Sequence, residues 1–181
     1  SDEGDPTGWY AQKRSTAGAA LALTSPGIPM LFQGQEFLQG GWFRDDVPLD
    51  WDQNREYRGV VRLYRDLIRL RRNLDGTTKG LTGQHVNVFH ADEENNVLAF
   101  HRWADGGPDD DTVVVVNLSS VSYEHYRIGM PHAGRWILRL NSDSQSYSED
   151  FAGEEAYDMD AHPQSEDDLD AHISLSIAPY T

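Results

Sequence analysis

The sequence predicts an α+β chain in two parts: a helix, a strand and a helix over residues 1–76, then an all-β antiparallel sandwich over residues 77–181. Three observations support this prediction. Apolar residues recur at helical spacing before Gly76, and they alternate with polar residues after it. A five-residue run that is apolar on both faces, residues 28–32, lies between the two helical stretches. The change of period therefore sets both the fold class and the predicted domain boundary.

The first predicted helix runs from Trp9 to Leu23, with Asp5 as its N-cap and Pro6 at its first position. Its Ala-rich run, AGAALAL, has small side chains that allow close approach to a neighbouring element. Pro and Gly in the following SPG break end the helix.

The run Ile28–Phe32 is the predicted strand, and Pro29 stands near its start, where a missing N–H is tolerated. The second predicted helix covers residues 55–73 and has a wide apolar face. Helix, strand and helix in succession indicate a piece of an α/β fold. We expect the opposite face of the second helix to be solvated, because a nucleic-acid stripe would need interleaved aromatic residues. Its arginines are Arg58, Arg62, Arg65, Arg69 and Arg72.

Six strands are predicted after Gly76, separated by turn-rich links such as DEENN and DGGPDDD. They cover residues 85–91, 97–104, 112–118, 123–128, 135–141 and 172–178. The valine run 113–116 has no polar partner and is expected to be central. The last strand is expected to be an edge strand with one wet face. The pattern indicates a two-sheet sandwich with Greek-key connections.

The composition excludes several function classes. A net charge of −15 disfavours nucleic acid and anionic membrane as partners, since both are polyanions. No stretch approaches transmembrane length, the N-terminus lacks signal-peptide features, and there is no cysteine, so we expect a cytoplasmic protein. All basic residues lie at or before Arg139. The acidic segment between Tyr147 and Asp170 is therefore expected to be an irregular, mobile loop, because it cannot bury its charges in pairs.

Motifs for metals and cofactors are weak or missing. The histidines show no zinc spacing, and the glycines of the loop after residue 32 show no phosphate-loop pattern. Residues 158–163 begin like a calcium loop but lack the third oxygen ligand and the required glycine. We therefore expect neither a metal nor a cofactor.

The run GIPMLFQGQEF, followed by PLDW and a long amphipathic helix, resembles the last barrel strand, its loop and the last barrel helix of the α-amylase superfamily of glycoside hydrolases and transglycosylases. The GQEF version is most similar to bacterial 1,4-α-glucan branching enzymes. The resemblance implies that residues 1–76 are the C-terminal remnant of a (β/α)8 barrel. It also implies that the β part is the superfamily's C-terminal domain.

The resemblance implies a parent enzyme that transfers α-1,4-glucan chains to 6-hydroxyls in glycogen biosynthesis. Retaining enzymes of this kind use two carboxylates about 5 to 5.5 Å apart. In the superfamily these follow earlier barrel strands, and no Asn-His-Asp or Ser-His-Asp motif occurs in this chain. The expected partners are therefore an α-glucan and the rest of the barrel, and the chain alone is expected to be inactive.

The candidate substrate-binding residues implied by the resemblance are Gln35, Glu36 and Trp42, with Trp51 as a second aromatic plane. They follow the predicted strand, and in barrel enzymes the loops after the strands form the active face. A structural role competes: Glu36 could tie loops together, and the tryptophans could be core. A hydrolase of the α-amylase or trehalose-releasing type, or a free-standing glucan-binding module, remain alternatives to the branching enzyme.

Overall fold

A computed structural model describes residue 5 and residues 7–41, 44–107, 109–151 and 156–181. Its helices are α1 (Trp9–Thr24), α2 (Gln53–Glu56) and α3 (Arg58–Arg71), with short 3-10 helices at Gln35–Phe37 and Lys79–Thr82. Its strands are β1 (His85–Asp92), β2 (Val97–Trp103), β3 (Thr112–Asn117), β4 (Tyr123–Met130), β5 (Gly134–Trp136), β6 (Met159–Ala161) and β7 (Ala171–Ile177).

Helix α1 forms where the sequence predicts it, but its N-cap differs. Gly8 is the N-cap residue, and it follows a turn in which its N–H donates to the carbonyl of Asp5. The prediction of Asp5 as N-cap is therefore wrong, and Pro6 lies outside the described residues. At the other end, the Ser25 hydroxyl and N–H both donate to the carbonyl of Leu21, which closes the last turn.

The second predicted helix is interrupted near its start, where Tyr57 leaves the helical conformation between α2 and α3. The centre of its predicted apolar face is buried and packs on α1, whereas Ile68 and Leu74 of that face are exposed. The shared core consists of Ala19, Leu23, Leu38, Val60, Leu63, Tyr64 and Leu67. The predicted solvated face is confirmed, because Arg58, Arg62, Arg65, Arg69 and Arg72 are all exposed.

The predicted strand Ile28–Phe32 does not form. These residues belong to no helix or sheet, and the Ile28 and Met30 side chains are 99% and 88% exposed. The physical reason is that no described part of this chain offers the strand a backbone partner, and an unpaired backbone keeps its hydrogen bonds to water. The chain therefore has helices on both sides of an extended, solvent-exposed segment.

The β part contains three antiparallel sheets among the described residues, in the orders β1-β2-β3, β4-β7 and β5-β6. All three contribute to one apolar core. Its buried members are Ala99, Ile128, Met130, Ala161, Ala171 and Ile173. The predicted all-β antiparallel domain is confirmed, and the last predicted strand forms as β7, paired with β4.

Two strand predictions are wrong in detail. The central strand of its sheet is β2, and β3 lies at the edge. The valine run is compatible with this edge position because Val113 and Val115 pack against the core and the run lines a cavity. The strand predicted over residues 135–141 is limited to β5. Beyond it, the Asp158 carboxylate accepts the Leu138 N–H at 3.0 Å, so a side chain occupies the donor that a neighbouring strand would use.

The acidic segment does not behave as an unpaired loop. Arg135 lies 3.5 Å from both Asp158 and Asp160, Arg127 pairs with Glu166, and strand β6 forms inside the segment. The prediction of an irregular loop is wrong where β6 forms, and the segment's carboxylates pair at the surface with arginines from earlier strands. Residues 152–155 of this segment lie outside the described residues.

Helices and sheets are joined by a buried ion pair. The Lys13 ammonium of α1 lies 2.6 Å from the Asp143 carboxylate in the link after β5, and both side chains are almost fully buried. A second joint lies nearby, where the Tyr147 hydroxyl donates to Asp66 of α3 at 2.8 Å. Gly59 is required here, since an added Cβ would lie 1.9 Å from the Tyr147 carbonyl oxygen.

Candidate functional site

The loop after the exposed segment is tightly folded. Gly34 has a φ of 82°, in the left-handed region that favours glycine, and it opens the 3-10 helix Gln35–Phe37. The Gln39 N–H donates to the Gly34 carbonyl at 2.9 Å, and the Gln39 side chain accepts the Asp50 N–H at 2.9 Å. The loop therefore keeps a defined shape although the segment before it has no partner strand.

Gln35 ties this loop to the end of the exposed segment. Its side-chain oxygen accepts the Phe32 N–H at 3.2 Å, and its own N–H donates to the Phe32 carbonyl at 2.9 Å. The two bonds form a closed pair between the same two residues. Gln35 therefore has a structural role in this chain, and neither of these two bonds uses its side-chain amide nitrogen.

Glu36 lies beside a buried tyrosine of α3. Burial raises the pKa of the Tyr64 hydroxyl to about 12, and the negative charge of Glu36 contributes to the increase. The side chains of Gln35 and Ser15 approach the hydroxyl and partly oppose the shift, without reaching good hydrogen-bond geometry. Among the described residues, no hydrogen bond or salt bridge engages the Glu36 carboxylate, which is half-buried.

The aromatic candidates have different outcomes. Trp42 lies outside the described residues. Trp51 is 63% exposed, and its ring packs at 5.3 Å on Phe37, which is fully buried. Trp51 therefore presents part of its ring to solvent from a supported position, which is the geometry that stacking on a planar ligand face requires.

Exposed apolar side chains surround this loop and form what we call the loop-side surface. Its members are Ile28, Met30, Leu31, Phe32, Val47 and Trp51. Four of these exposed apolar residues lie within five consecutive positions, residues 28–32, and large exposed apolar patches are typical of interaction sites. A shallow cleft of about 70 Å³ lies in the same loop, between Phe32, Val47 and Leu49. The predicted site residues Gln35 and Glu36 directly follow the exposed apolar run in the chain.

A larger cavity, of about 620 Å³, lies between β3 and the link after β5, and it was not predicted from the sequence. Its walls are mainly apolar, and Asp111 is among the acidic residues that line it. The Asp111 carboxylate is already engaged, because it lies 2.7 Å from His101 and 3.2 Å from His132. Ile137, Leu138 and Leu140 line the cavity, and we interpreted this stretch as a strand.

The described residues contain no cluster of three or more His, Cys, Asp or Glu side chains that could bind a metal ion. In the same part of the chain, no helix has the length and apolarity needed to cross a bilayer. The described loop offers hydrogen-bonding groups, apolar groups and the carboxylate of Glu36.

Comparison with known proteins defines the class of this chain. The sequence model of the α-amylase C-terminal all-β domain matches residues 87–181, more than half of the chain. The chain therefore belongs to the α-amylase C-terminal all-β domain family. The resemblance noted in the sequence is confirmed.

Individual relatives narrow the comparison. The chain is 32% identical over 188 residues to the 1,4-alpha-glucan branching enzyme GlgB of Frankia casuarinae, covering 94% of this chain and 22% of the relative. It is 35% identical over 138 residues to the enzyme of the same name from Mycobacterium sp. (strain JLS), covering 71% and 17% respectively. The chain thus spans about a fifth of the length of the relatives it matches.

Solved structures support the fold alone. The pullulanase from Anoxybacillus sp. LM18-11 superposes with a TM-score of 0.56 at 19% identity, covering 93% of this chain and 22% of the pullulanase. The same enzyme in complex with maltotetraose gives a TM-score of 0.54.

Proposed function

We propose that this chain is the C-terminal part of an α-glucan-active enzyme, and specifically of a 1,4-α-glucan branching enzyme. Its helical part would complete the catalytic barrel, and the barrel's remaining strands would supply the catalytic carboxylates. Support comes from relatives of that name, whose length is about five times the part matched by this chain.

The observation that carries the proposal is the loop-side surface. Burying an apolar side chain is favourable by roughly 1.5 to 3 kcal/mol, so leaving Ile28 and Met30 in water loses a substantial stabilisation. A short run of apolar residues that belongs to no sheet in this chain is suited to a place between two barrel strands. The flanking helices α1 and α3 would then cover it from outside, as helices do in such barrels.

In this proposal Gln35 and Glu36 lie at the mouth of the barrel. Gln35 would hold the loop to the end of the strand, as it does here through Phe32. Glu36, whose carboxylate has no hydrogen-bond partner among the described residues, would accept hydrogen bonds from a sugar hydroxyl or from a neighbouring loop. Trp51, and Trp42 by its place in the sequence, would offer an aromatic face to a glucosyl ring.

The reaction would follow the retaining route. One carboxylate of the parent enzyme would attack the anomeric carbon while an acid protonates the leaving 4-oxygen, which gives a covalent glycosyl-enzyme. The 6-hydroxyl of an acceptor chain would then displace that carboxylate, and the second carboxylate would take the hydroxyl proton. Neither carboxylate is assigned to this chain, which would shape the acceptor side of the site.

A chimera tests the proposal. The matching C-terminal region of the Frankia casuarinae relative would be replaced by this chain, and α-1,6 linkages formed from amylose would be counted after enzymatic debranching. We expect branching by the chimera and none by the chain alone. A second chimera, with the Anoxybacillus pullulanase, should not recover pullulan hydrolysis.

Matched variants test the surface itself. Replacing both Ile28 and Met30 by Asp should reduce branching by the chimera more than tenfold, because two charges would enter the barrel wall. The same change should leave the unfolding temperature of the isolated chain unchanged. Val88→Asp, also at an exposed apolar position, is the control. Full branching by the double variant, or recovery of the pullulanase chimera alone, would contradict the proposal.

A further inference from the structure

Arg71 of α3 reaches across to the C-terminal end of α1. Its guanidinium donates to the Leu23 carbonyl at 3.3 Å and also to the carbonyls of Ser25 and Gly27. These three acceptors lie in the last turn of α1 and in the break that follows it. One side chain therefore fixes the path of the chain up to the residue before Ile28.

Arg102, near the end of the central strand β2, reaches the same place from the β1-β2-β3 sheet. Its guanidinium donates to the Thr24 carbonyl at 2.6 Å and to the carbonyl of Gly83, which immediately precedes the strands. Arg102 is fully buried. The end of α1 is therefore bonded to a helix on one side and to the sheet on the other.

The arrangement is electrostatically costly. Burial lowers the pKa of Arg102, and the nearby positive charge of Arg71 lowers it further. Within the described part of the chain, neither arginine forms a salt bridge with a carboxylate, and the Arg102 Nε atom lacks a hydrogen-bond partner. A buried charge without an ion-pair partner is rare because its desolvation is expensive.

The C-terminal end of α1 compensates the positive charges of Arg71 and Arg102. Unsatisfied carbonyls give the C-terminal end of a helix a partial negative charge that favours cations. The last turn of α1 has no basic residue of its own. Arg71 and Arg102 therefore supply from other elements the cations that this helix end lacks, and both act at the point where the exposed segment begins.

We propose that Arg71 and Arg102 are positioning residues that fix the direction in which residues 28–32 leave α1 relative to the β sheets. The segment would then be held ready for insertion, and the β domain would set its orientation through Arg102. The identity of the structure that receives the segment rests on the proposed function. The positioning is a property of this chain alone, so the two ideas can fail separately.

The chain contains no cysteine, so two spin labels can be placed without background. Met30→Cys would label the exposed segment and Val88→Cys an exposed site on β1. Double electron–electron resonance then measures the distance distribution between them. We expect one narrow distribution for the parent chain and at least a twofold broader one for Arg71→Met. Arg71→Lys keeps a charged donor, so its distance distribution should be nearly as narrow as that of the parent chain.

Arg65→Met removes an exposed arginine from the opposite side of α3 and should leave the distribution narrow. Circular dichroism with thermal unfolding separates orientation from folding: Arg71→Met should keep its helix content and a cooperative transition while the distribution broadens. Arg102→Met is a second test, read in the same way if it folds. A parent distribution that is already broad, an unchanged distribution for Arg71→Met, or equal broadening by Arg65→Met would overturn the proposal.

Discussion

The exposed segment 28–32 and strand β7 begin from similar sequence signals and reach opposite structures. Both are short stretches with closely spaced apolar residues and no helical period. Strand β7 pairs along its length with β4, and its Ile173 enters a core shared by three sheets. Ile28 and Met30 stay in water. The difference shows that an apolar run becomes a strand only where a partner edge is available to it.

Helices flank the exposed segment in the chain, with α1 before it and α2 and α3 after it. Through their contacts with the sheets, α1 and α3 link this segment to the β part. Their apolar faces bury each other, and buried polar contacts join them to the β part. The exposed segment therefore starts and ends on ordered helical structure. Its exposure is a local property of a stretch that belongs to no sheet, while both flanking elements are well packed.

The largest effect should come from the joint between helices and sheets. Asp143→Asn leaves the fully buried Lys13 ammonium without its counter-charge, and breaking a buried pair in this way costs roughly 3 to 5 kcal/mol. Urea unfolding measures the loss. The double variant Lys13→Met with Asp143→Leu removes both charges and should recover most of the stability. A single variant as stable as the parent would show that helices and sheets are not coupled at this joint.

A paired truncation sharpens the contrast between buried and exposed apolar residues. Leu63→Ala in α3 empties part of a core and should lower the free energy of unfolding by roughly 2 to 5 kcal/mol. Met30→Ala removes a side chain that is already in water and should change it by about 0.5 kcal/mol or less. Equilibrium denaturation of the two variants gives both numbers. Similar losses would mean that the exposed segment is packed in solution.

The sequence was sufficient where a single element determines the outcome. The spacing of Leu63 and Leu67 predicted the buried face of α3, and alternation predicted β7. Prediction failed where a residue far away in the sequence determines the local structure. The Asp158 carboxylate accepts the Leu138 N–H, beyond the end of β5. Arg127 and Arg135 pair with carboxylates of the acidic segment, which follows them in the chain.

The candidate site was predictable only in part. The loop sequence proposes Gln35 and Glu36 as substrate-binding residues, and that role stays a prediction. Their contacts with Phe32 and Tyr64 could not be read from the sequence, because a loop between an unpaired segment and a distant helix has no period to follow. The arginines at the end of α1 were hidden for the same reason, since Arg102 lies far along the chain in a strand.

Hydrogen–deuterium exchange tests most directly the claim that residues 28–32 form a strand only with partners from outside this chain. In the isolated chain, the amides of residues 28, 30 and 31 should exchange as fast as those of an unstructured peptide, while the paired amides of β7 are protected. The Phe32 amide is left out of the comparison because it donates to the Gln35 side chain. Residue 29 is proline and has no amide hydrogen. In the Frankia casuarinae chimera, the same amides should become as protected as β7. Protection of these amides in the isolated chain, or fast exchange in an active chimera, would contradict the claim.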